Sequence, residues 1–284
     1  MDKLKILLPK GRIYDNVSAL FSDAGISIKL PERAYRPSVN QDDLEAKVMK
    51  PQNIGKLLEL GAHDIGFTGI DWIEETGADV EEIMDLGFDR VKIVAAIPND
   101  LKDDKLKSGR IIVATEYVNV AEQWLKQRGW NYVIVRTHGA TEVFPPDDAD
   151  MIIDNTATGR TLQENGLRII DTIMGSSTRM FASRGALADP EKNKKIQELK
   201  MLFEAVLAAR DRVMLEMNVS KARFGDLVSG IPAMKSPTVA PLYGDDGYAI
   251  KVVVKKSEVP KLMPTLKTLG ATDILEYELR KVMP

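Results

Sequence analysis

The chain has no cysteine and only two histidines, His63 and His138, among 284 residues. The first absence excludes disulfides and thiolate metal sites outright. The second argues against a histidine-based metal site, because the two stand far apart in sequence. Aromatic residues make up only 6% of the chain, and no apolar run approaches the length that spans a bilayer. The short apolar run ending at Pro9 is also too short for the apolar region of a signal peptide. A soluble, cytoplasmic protein is expected. Neither sign of charge is in excess: 39 basic against 42 acidic residues give a formal net charge of −3. Duplex nucleic acid favours a basic face, so the overall charge makes no case for it. Any polyanion must be gripped by a local cluster.

What is present is ordinary in bulk, 44% hydrophobic and 29% charged, as in globular proteins generally. A chain of this length exceeds what one hydrophobic core organises, which predicts two or three compact units. Short apolar runs at 6–8, 65–68, 91–97, 111–114, 132–135 and 151–153 read as buried strands. Amphipathic stretches at 14–24, 53–60 and 120–128 lie between several of them, and the alternation predicts an α/β protein with mainly parallel sheets. Residues 190–213, rich in Glu, Lys, Leu and Ala, predict one long helix. After Glu216 the texture changes. A strand, a helix from Lys221, two strands at 237–243 and 248–255 around Gly244-Asp245-Asp246-Gly247, a helix at 258–269 and a strand at 274–282 follow. That β-α-β-β-α-β order is the ferredoxin-like arrangement.

Chemistry is concentrated in four segments. In the first, an apolar strand at 151–153 runs into Asp154, then Asn155, Thr156, Ala157, Thr158, Gly159, Arg160 and Thr161. Ligands of open α/β sheets bind beyond the carboxyl ends of strands, and a helix start there offers N–H groups to a phosphate. Thr158 and Thr161 add hydroxyls, Gly159 permits close backbone approach, and Asp154 is placed to accept from sugar hydroxyls. Together these suit a phosphoribosyl group. The same segment also fits an ordinary strand, turn and capped helix.

In the second, Lys10, Gly11 and Arg12 follow the first strand. They suit a polyphosphate, Arg12 as a bidentate donor, or form a solvated basic turn. Lys50, just ahead of a helix, repeats that choice. In the third, Gly69 and Asp71 follow the strand at 65–68, with Asp71 near a helix start where an acid commonly caps. In the fourth, Glu142 of His138-Gly139-Ala140-Thr141-Glu142 either caps a helix or contacts a substrate hydroxyl. Both histidines read as loop or helix-end residues.

The ordered set LPKGR, DIGFTGID, HGATE, DNTATGRTLQENGL, IPAMKSPTVAPLY and LGATDILEYEL resembles the ATP phosphoribosyltransferase family across essentially the whole chain. The resemblance is to the long, single-chain form. It implies a two-lobed catalytic region with the fold of type II periplasmic binding proteins. Lobe I would comprise 1–95 and 182–212, lobe II 96–181, and 213–284 a ferredoxin-like regulatory domain. It implies displacement of pyrophosphate from ribose C1 by N1 of ATP, with Mg²⁺ bound through the substrate phosphates and no dedicated metal site. Asp154, Thr156, Ala157, Thr158, Gly159 and Thr161 would cradle phosphoribosyl pyrophosphate. Lys10, Gly11, Arg12 and Lys50 would face the polyphosphates, Gly69 and Asp71 the purine, and Glu142 the reacting ribose. Glu142 and Asp154 are the candidates for direct chemistry. Histidine, the pathway's end product, would bind as inhibitor at Asn218, Ser236, Thr238 and Asp273, in homodimers that assemble to hexamers. Asn218 stands where others carry aspartate, and Asp273 where a small residue is common. Two rival functions remain: a solute-binding protein of the same fold, and a purine-salvage phosphoribosyltransferase.

Overall fold

Strand β1 (Leu4–Pro9) is buried at every position but Lys5, as a parallel strand covered on both faces must be. In this computed structural model every residue is described except Met1, Arg33, Ala233, Lys235, Asp245 and Pro284, with backbone alone for Asp103, Lys107 and Ser108. Ala233 and Lys235 of the IPAMKSPTVAPLY segment, and Asp245 of the predicted turn, thus lie outside the described residues. After β1 come α1 (Arg12–Ala24), a ribbon of β2 (Ile28–Lys29) and β3 (Ser38–Val39), β4 (Leu44–Met49), α2 (Pro51–Glu59), β5 (Ile65–Gly69) and α3 (Ile70–Thr76). The long β6 (Glu81–Pro98) precedes α4 (Asp103–Ser108), β7 (Arg110–Thr115), α5 (Val118–Arg128), β8 (Asn131–Arg136) and β9 (Met151–Thr156). Then follow α6 (Arg160–Glu164), a second long strand β10 (Leu167–Ala182), α7 (Arg184–Ala188) and α8 (Pro190–Arg210).

Eight of these strands form one sheet, in the order β4-β1-β5-β10-β6-β9-β7-β8. The pairings toward its two edges are parallel. Those across the middle, β5 to β10 to β6 to β9, are antiparallel. The mixed α/β class with parallel pairings in the majority agrees with the expectation. The middle does not: β6 extends well before residue 91, and β10 has no counterpart among the predicted strands. The physical reason is that β6 and β10 are held by pairing with each other along almost their whole length. They need no continuous apolar run, and Asp85, Asp89, Asp171, Gly175 and Ser176 interrupt the one the sequence shows.

The chain continues with β11 (Arg212–Ser220), α9 (Phe224–Gly230), β12 (Thr238–Pro241), β13 (Gly247–Lys255), α10 (Val259–Thr268) and β14 (Ala271–Glu278). These four strands form a separate antiparallel sheet, β12-β13-β11-β14. Burial alternates along β11. Val213, Leu215, Met217 and Val219 meet Ile250, Val252, Leu262 and Leu266 in a core of their own, enough for a small module to hold together. The last strand ends at Glu278 and not at 282. Two compact units result, one of 1–22 with 26–198 and one of 23–25 with 199–284. No helix among the described residues is long and apolar enough to cross a membrane.

Candidate active site

The register of the large sheet decides where its loops meet. Gly69, at the carboxyl end of β5, pairs with Thr178 of β10, which pairs with Phe88 of β6. Thr156, at the carboxyl end of β9, pairs with Lys92 of β6, which pairs with Gly175 of β10. Strands β5 and β9 therefore run toward each other from opposite sides of the β6–β10 ladder, and their ends converge on its middle. There the ladder is irregular, with register shifts around Ser176 and Thr178. A cavity of about 230 Å³ lies at this crossing, lined among others by Arg12, Gly69, Asp71, Glu116, Asn155 and Ser176.

On the β9 side Asp154 is largely buried, one residue before the exposed part of the loop. Burial pushes its carboxyl up to about 6, against the backbone N–H of Asn155 and the Thr141 hydroxyl, which pull it down. Glu116 and Glu142 add to the rise through like-charge repulsion. Glu142 sits in the 3₁₀ turn Thr141–Val143, so it does not open an α-helix. Ala157, Thr158 and Thr161 are exposed, and Gly159 is buried with φ of +80°. Two N–H groups are already used within the loop. Gly159 donates to Thr156 Oγ1 at 2.9 Å and Arg160 to Thr158 Oγ1 at 3.4 Å. The helix that follows has only five residues, so its dipole is small and the loop itself must supply most of any phosphate contact.

Asp71 departs from the simplest expectation. It does not cap α3, whose N-cap is Gly69 without a side-chain bond. It is buried, accepting from the Tyr117 hydroxyl at 2.8 Å and the Ser176 hydroxyl at 2.7 Å. The Tyr117 oxygen in turn accepts from Asn155 Nδ2 at 3.1 Å, so one chain of bonds links α3, β7–α5, β9 and β10. Burial and the Asp71 carboxylate push the Tyr117 phenol far above its ordinary value; it stays a donor at any working pH. Trp72 stacks on Tyr117 with ring centroids 4.6 Å apart.

The cations lie at neighbouring strand ends. The Lys10 N–H donates to the Met49 carbonyl at 2.7 Å, tying the end of β1 to that of β4 and to Lys50. Lys50 is exposed ahead of Pro51, and Lys10 Nζ lies 5.4 Å from the Tyr35 ring centroid. Gly11 takes φ of +88° at the turn. Arg12 is engaged: its Nε is 3.2 Å from the buried Asp89, while the guanidinium side chain remains 73% exposed. Asp89 also accepts from Asn16 and Thr178. Three further cations escape detection in the sequence. Arg90, Lys92 and Arg179 line a cavity of about 410 Å³ together with Ala157 of the loop. The signal available was a pair of basic residues alternating in a strand that otherwise turns apolar. His63 and His138 lie outside both cavities.

In the small sheet, Asn218 Nδ2 donates to Asp273 Oδ2 at 3.1 Å, and Asp273 has φ of 48°. Thr238 starts β12, with β13 between it and the strand of Asn218. At roughly 4.8 Å per strand, Ser236 and Thr238 lie about 10 Å or more from Asn218 and farther from Asp273. The structure brings these four residues together only as two pairs.

Comparison with known proteins follows the same division of the chain. The family profile described as "ATP phosphoribosyltransferase" matches residues 50–205, and that described as "HisG, C-terminal domain" matches 209–281. ATP phosphoribosyltransferase of Chlorobium phaeobacteroides is 40% identical over 287 residues, covering 99% of this chain and 97% of its own. That of Pelotomaculum thermopropionicum is 39% identical over 289 residues, covering 99% and 100%. Among solved structures, the ATP phosphoribosyl transferase (HisG:HisZ) complex from Thermotoga maritima matches with a TM-score of 0.62 and 26% identity. It covers 69% of this chain and 98% of that one. The chain belongs to the ATP phosphoribosyltransferase family, in its long form, and catalyses the first step of histidine biosynthesis.

Proposed function

We propose that the converging strand ends form the cleft of a two-lobed fold like that of type II periplasmic binding proteins. Lobe I is 1–95 with 182–212, and lobe II is 96–181. Phosphoribosyl pyrophosphate takes the loop after β9. Asp154 accepts from its ribose hydroxyls, and Thr156, Ala157, Thr158, Gly159 and Thr161 surround its phosphate. ATP enters from the opposing edge, with Lys10, Gly11, Arg12 and Lys50 toward polyphosphate and Gly69 and Asp71 toward the purine. The observation that carries this reading is the largely buried Asp154 carboxyl just ahead of a loop whose Asn155, Ala157 and Thr158 are exposed. Substitution at Asp154, treated below, tests it.

N1 of ATP forms its bond to ribose C1 as the C1–oxygen bond to pyrophosphate breaks, and that electron pair leaves with the pyrophosphate. Positive charge develops on the ribose and negative charge on the leaving group. The chain's contribution is orientation and charge: Asp154 and Glu142 lie toward the cationic ribose, and cations toward the polyphosphates. Among the described residues no group of three or more acidic or histidine side chains is placed to hold a metal ion. Mg²⁺ keeps several waters and would bind through the substrate phosphates with at most one or two carboxylates. Bound there, Mg²⁺ would neutralise charge on the leaving pyrophosphate. The cytoplasm is the expected location.

Residues 213–284 act as a ferredoxin-like regulatory domain that binds histidine. The β-α-β-β-α-β order with strands arranged β12-β13-β11-β14 supports that fold name. A free amino acid needs an acceptor for its ammonium group and donors for its carboxylate. Asp273, oriented by Asn218, suits the first role, and Ser236 and Thr238 the second. Histidine bridges the two pairs, and a homodimer assembling to a hexamer is the expected assembly. Ser236→Ala with Thr238→Ala is expected to weaken histidine inhibition by tenfold or more, within the usual 1–3 kcal/mol of allosteric coupling and effector contact, and to leave the uninhibited rate unchanged. Inhibition curves with and without the double substitution decide it; an unchanged curve would place the effector elsewhere.

A further inference from the structure

Helix α5 begins without a cap of its own. Its N-cap is Tyr117, which makes no side-chain cap bond, and its first residues are Val118, Asn119 and Val120. The first N–H groups of a helix have no partner within it and must find one elsewhere. Here they find it on α3. Glu75 Oε2 accepts from the N–H of Asn119 at 2.9 Å and of Val120 at 3.1 Å. The Asn119 side chain returns the contact, donating from Nδ2 to the Glu75 carbonyl at 2.7 Å. Glu75 is only 5% exposed, and a carboxylate at a helix start also opposes the positive end of its dipole.

The spacing explains the placement. Asp71 and Glu75 are four residues apart, hence on one face of α3, and both reach the same 115–120 segment. Asp71 takes the Tyr117 hydroxyl and Glu75 the N–H groups of Asn119 and Val120, with Trp72 stacked on Tyr117 between them. Tyr117 holds Asn155, the residue after Asp154. Helix α3 follows β5 and α5 follows β7, so the clamp joins the two groups of parallel strands whose ends converge on the site.

We propose that Glu75 is a positioning residue: with Asp71 it forms a two-point clamp between α3 and α5 that holds the closed, substrate-binding arrangement of the cleft. The inference rests on the substrates meeting in that cleft. A clamp of this kind raises the population of the binding-competent form, and losing it weakens apparent affinity by the fraction of closed molecules lost. Saturating substrate restores closure, so turnover is spared.

Glu75→Ala in the full chain is expected to raise KM for both substrates about tenfold with kcat within threefold. Glu75→Gln keeps an acceptor oxygen for the two N–H groups and is expected to return KM to within threefold of the parent. The chain has no cysteine, so Glu59→Cys on α2 and Gln123→Cys on α5, both exposed, carry a unique pair of spin labels. Without substrate, Glu75→Ala should broaden their distance distribution toward longer separations. Saturating phosphoribosyl pyrophosphate and ATP should narrow it again. Asn119→Ala, which removes only the return bond, gives a milder form of both effects should Glu75→Ala fail to fold. Unchanged KM in Glu75→Ala, or in Asn119→Ala if only that variant folds, overturns the proposal. So does an unchanged distance distribution. If KM is unmoved while Asp154→Ala is impaired, only the positioning role falls. If Asp154→Ala also works normally, the cleft assignment falls with it.

Discussion

Gly159→Val lowers phosphoribosyl transfer about a hundredfold or more while the protein stays folded. Gly159 adopts φ of +80° and ψ of −2°, the left-handed region where a β-branched residue is strained by about 1–3 kcal/mol. Space is not the obstacle, since an added Cβ would meet Ile169 Cδ1 at 3.6 Å, an ordinary contact. The loop must therefore relieve the strain by turning its backbone, which breaks the Gly159 N–H to Thr156 bond and moves the N–H groups proposed to face the phosphate. Steady-state kinetics with a thermal melt checks this. The expected cost in stability is only the strain itself, a shift of several degrees for a unit of this size. Full activity would remove the loop from the site. Global unfolding would make the glycine a requirement of the fold.

Asp154→Ala lowers kcat/KM for phosphoribosyl pyrophosphate ten- to a hundredfold, the scale of a lost charge-assisted hydrogen bond at about 1.5–3 kcal/mol. The same substitution stabilises the fold at neutral pH. Burial holds the native carboxyl at about 6, against an unfolded value near 3.9. Between roughly pH 4 and 6 the native state binds more protons than the unfolded state, so stability falls as pH rises through that window. Above it the full penalty, about 1–3 kcal/mol, is in force, and alanine or asparagine removes it. Since the carboxylate form is the one proposed to accept from the ribose, kcat/KM in the parent should drop on the acid side with an apparent pKa near 6. Denaturation at pH 5 and pH 8, with pH–rate profiles, separates the two effects. A variant both active and unstable would mean that Asp154 serves the fold and not the substrate.

The parts of this molecule that were legible in the sequence are those set by local pattern. Apolar runs at 6–8, 65–68, 111–114 and 151–153 became β1, β5, β7 and β9, amphipathic period located α1, α2 and α5, and helix-forming composition located α8. The order of strands and helices after Glu216 was readable for the same reason. Long-range pairing was not. The polar interruptions of β10 make sense only once Ser176 and Thr178 are seen to bond Asp71 and Asp89. Asp71 has the sequence position of a cap, and only the distant Tyr117 reveals its clamp. Glu75 carries no local signal beyond its i+4 relation to Asp71. The loop at 154–161, proposed to hold phosphoribosyl pyrophosphate, could be singled out because strand, acid, hydroxyls and glycine are consecutive. Arg90, Lys92 and Arg179 could not, because two strands bring them together.

The most direct test is a single set of incubations with phosphoribosyl pyrophosphate and Mg²⁺, adding either ATP or a free purine base, with pyrophosphate release and the nucleotide product followed. Release with ATP alone is predicted, with the ribose joined to N1 of the adenine ring and the rate falling ten- to a hundredfold in Asp154→Ala. Release with the free base, or an Asp154→Ala variant as fast as the parent, would contradict the account.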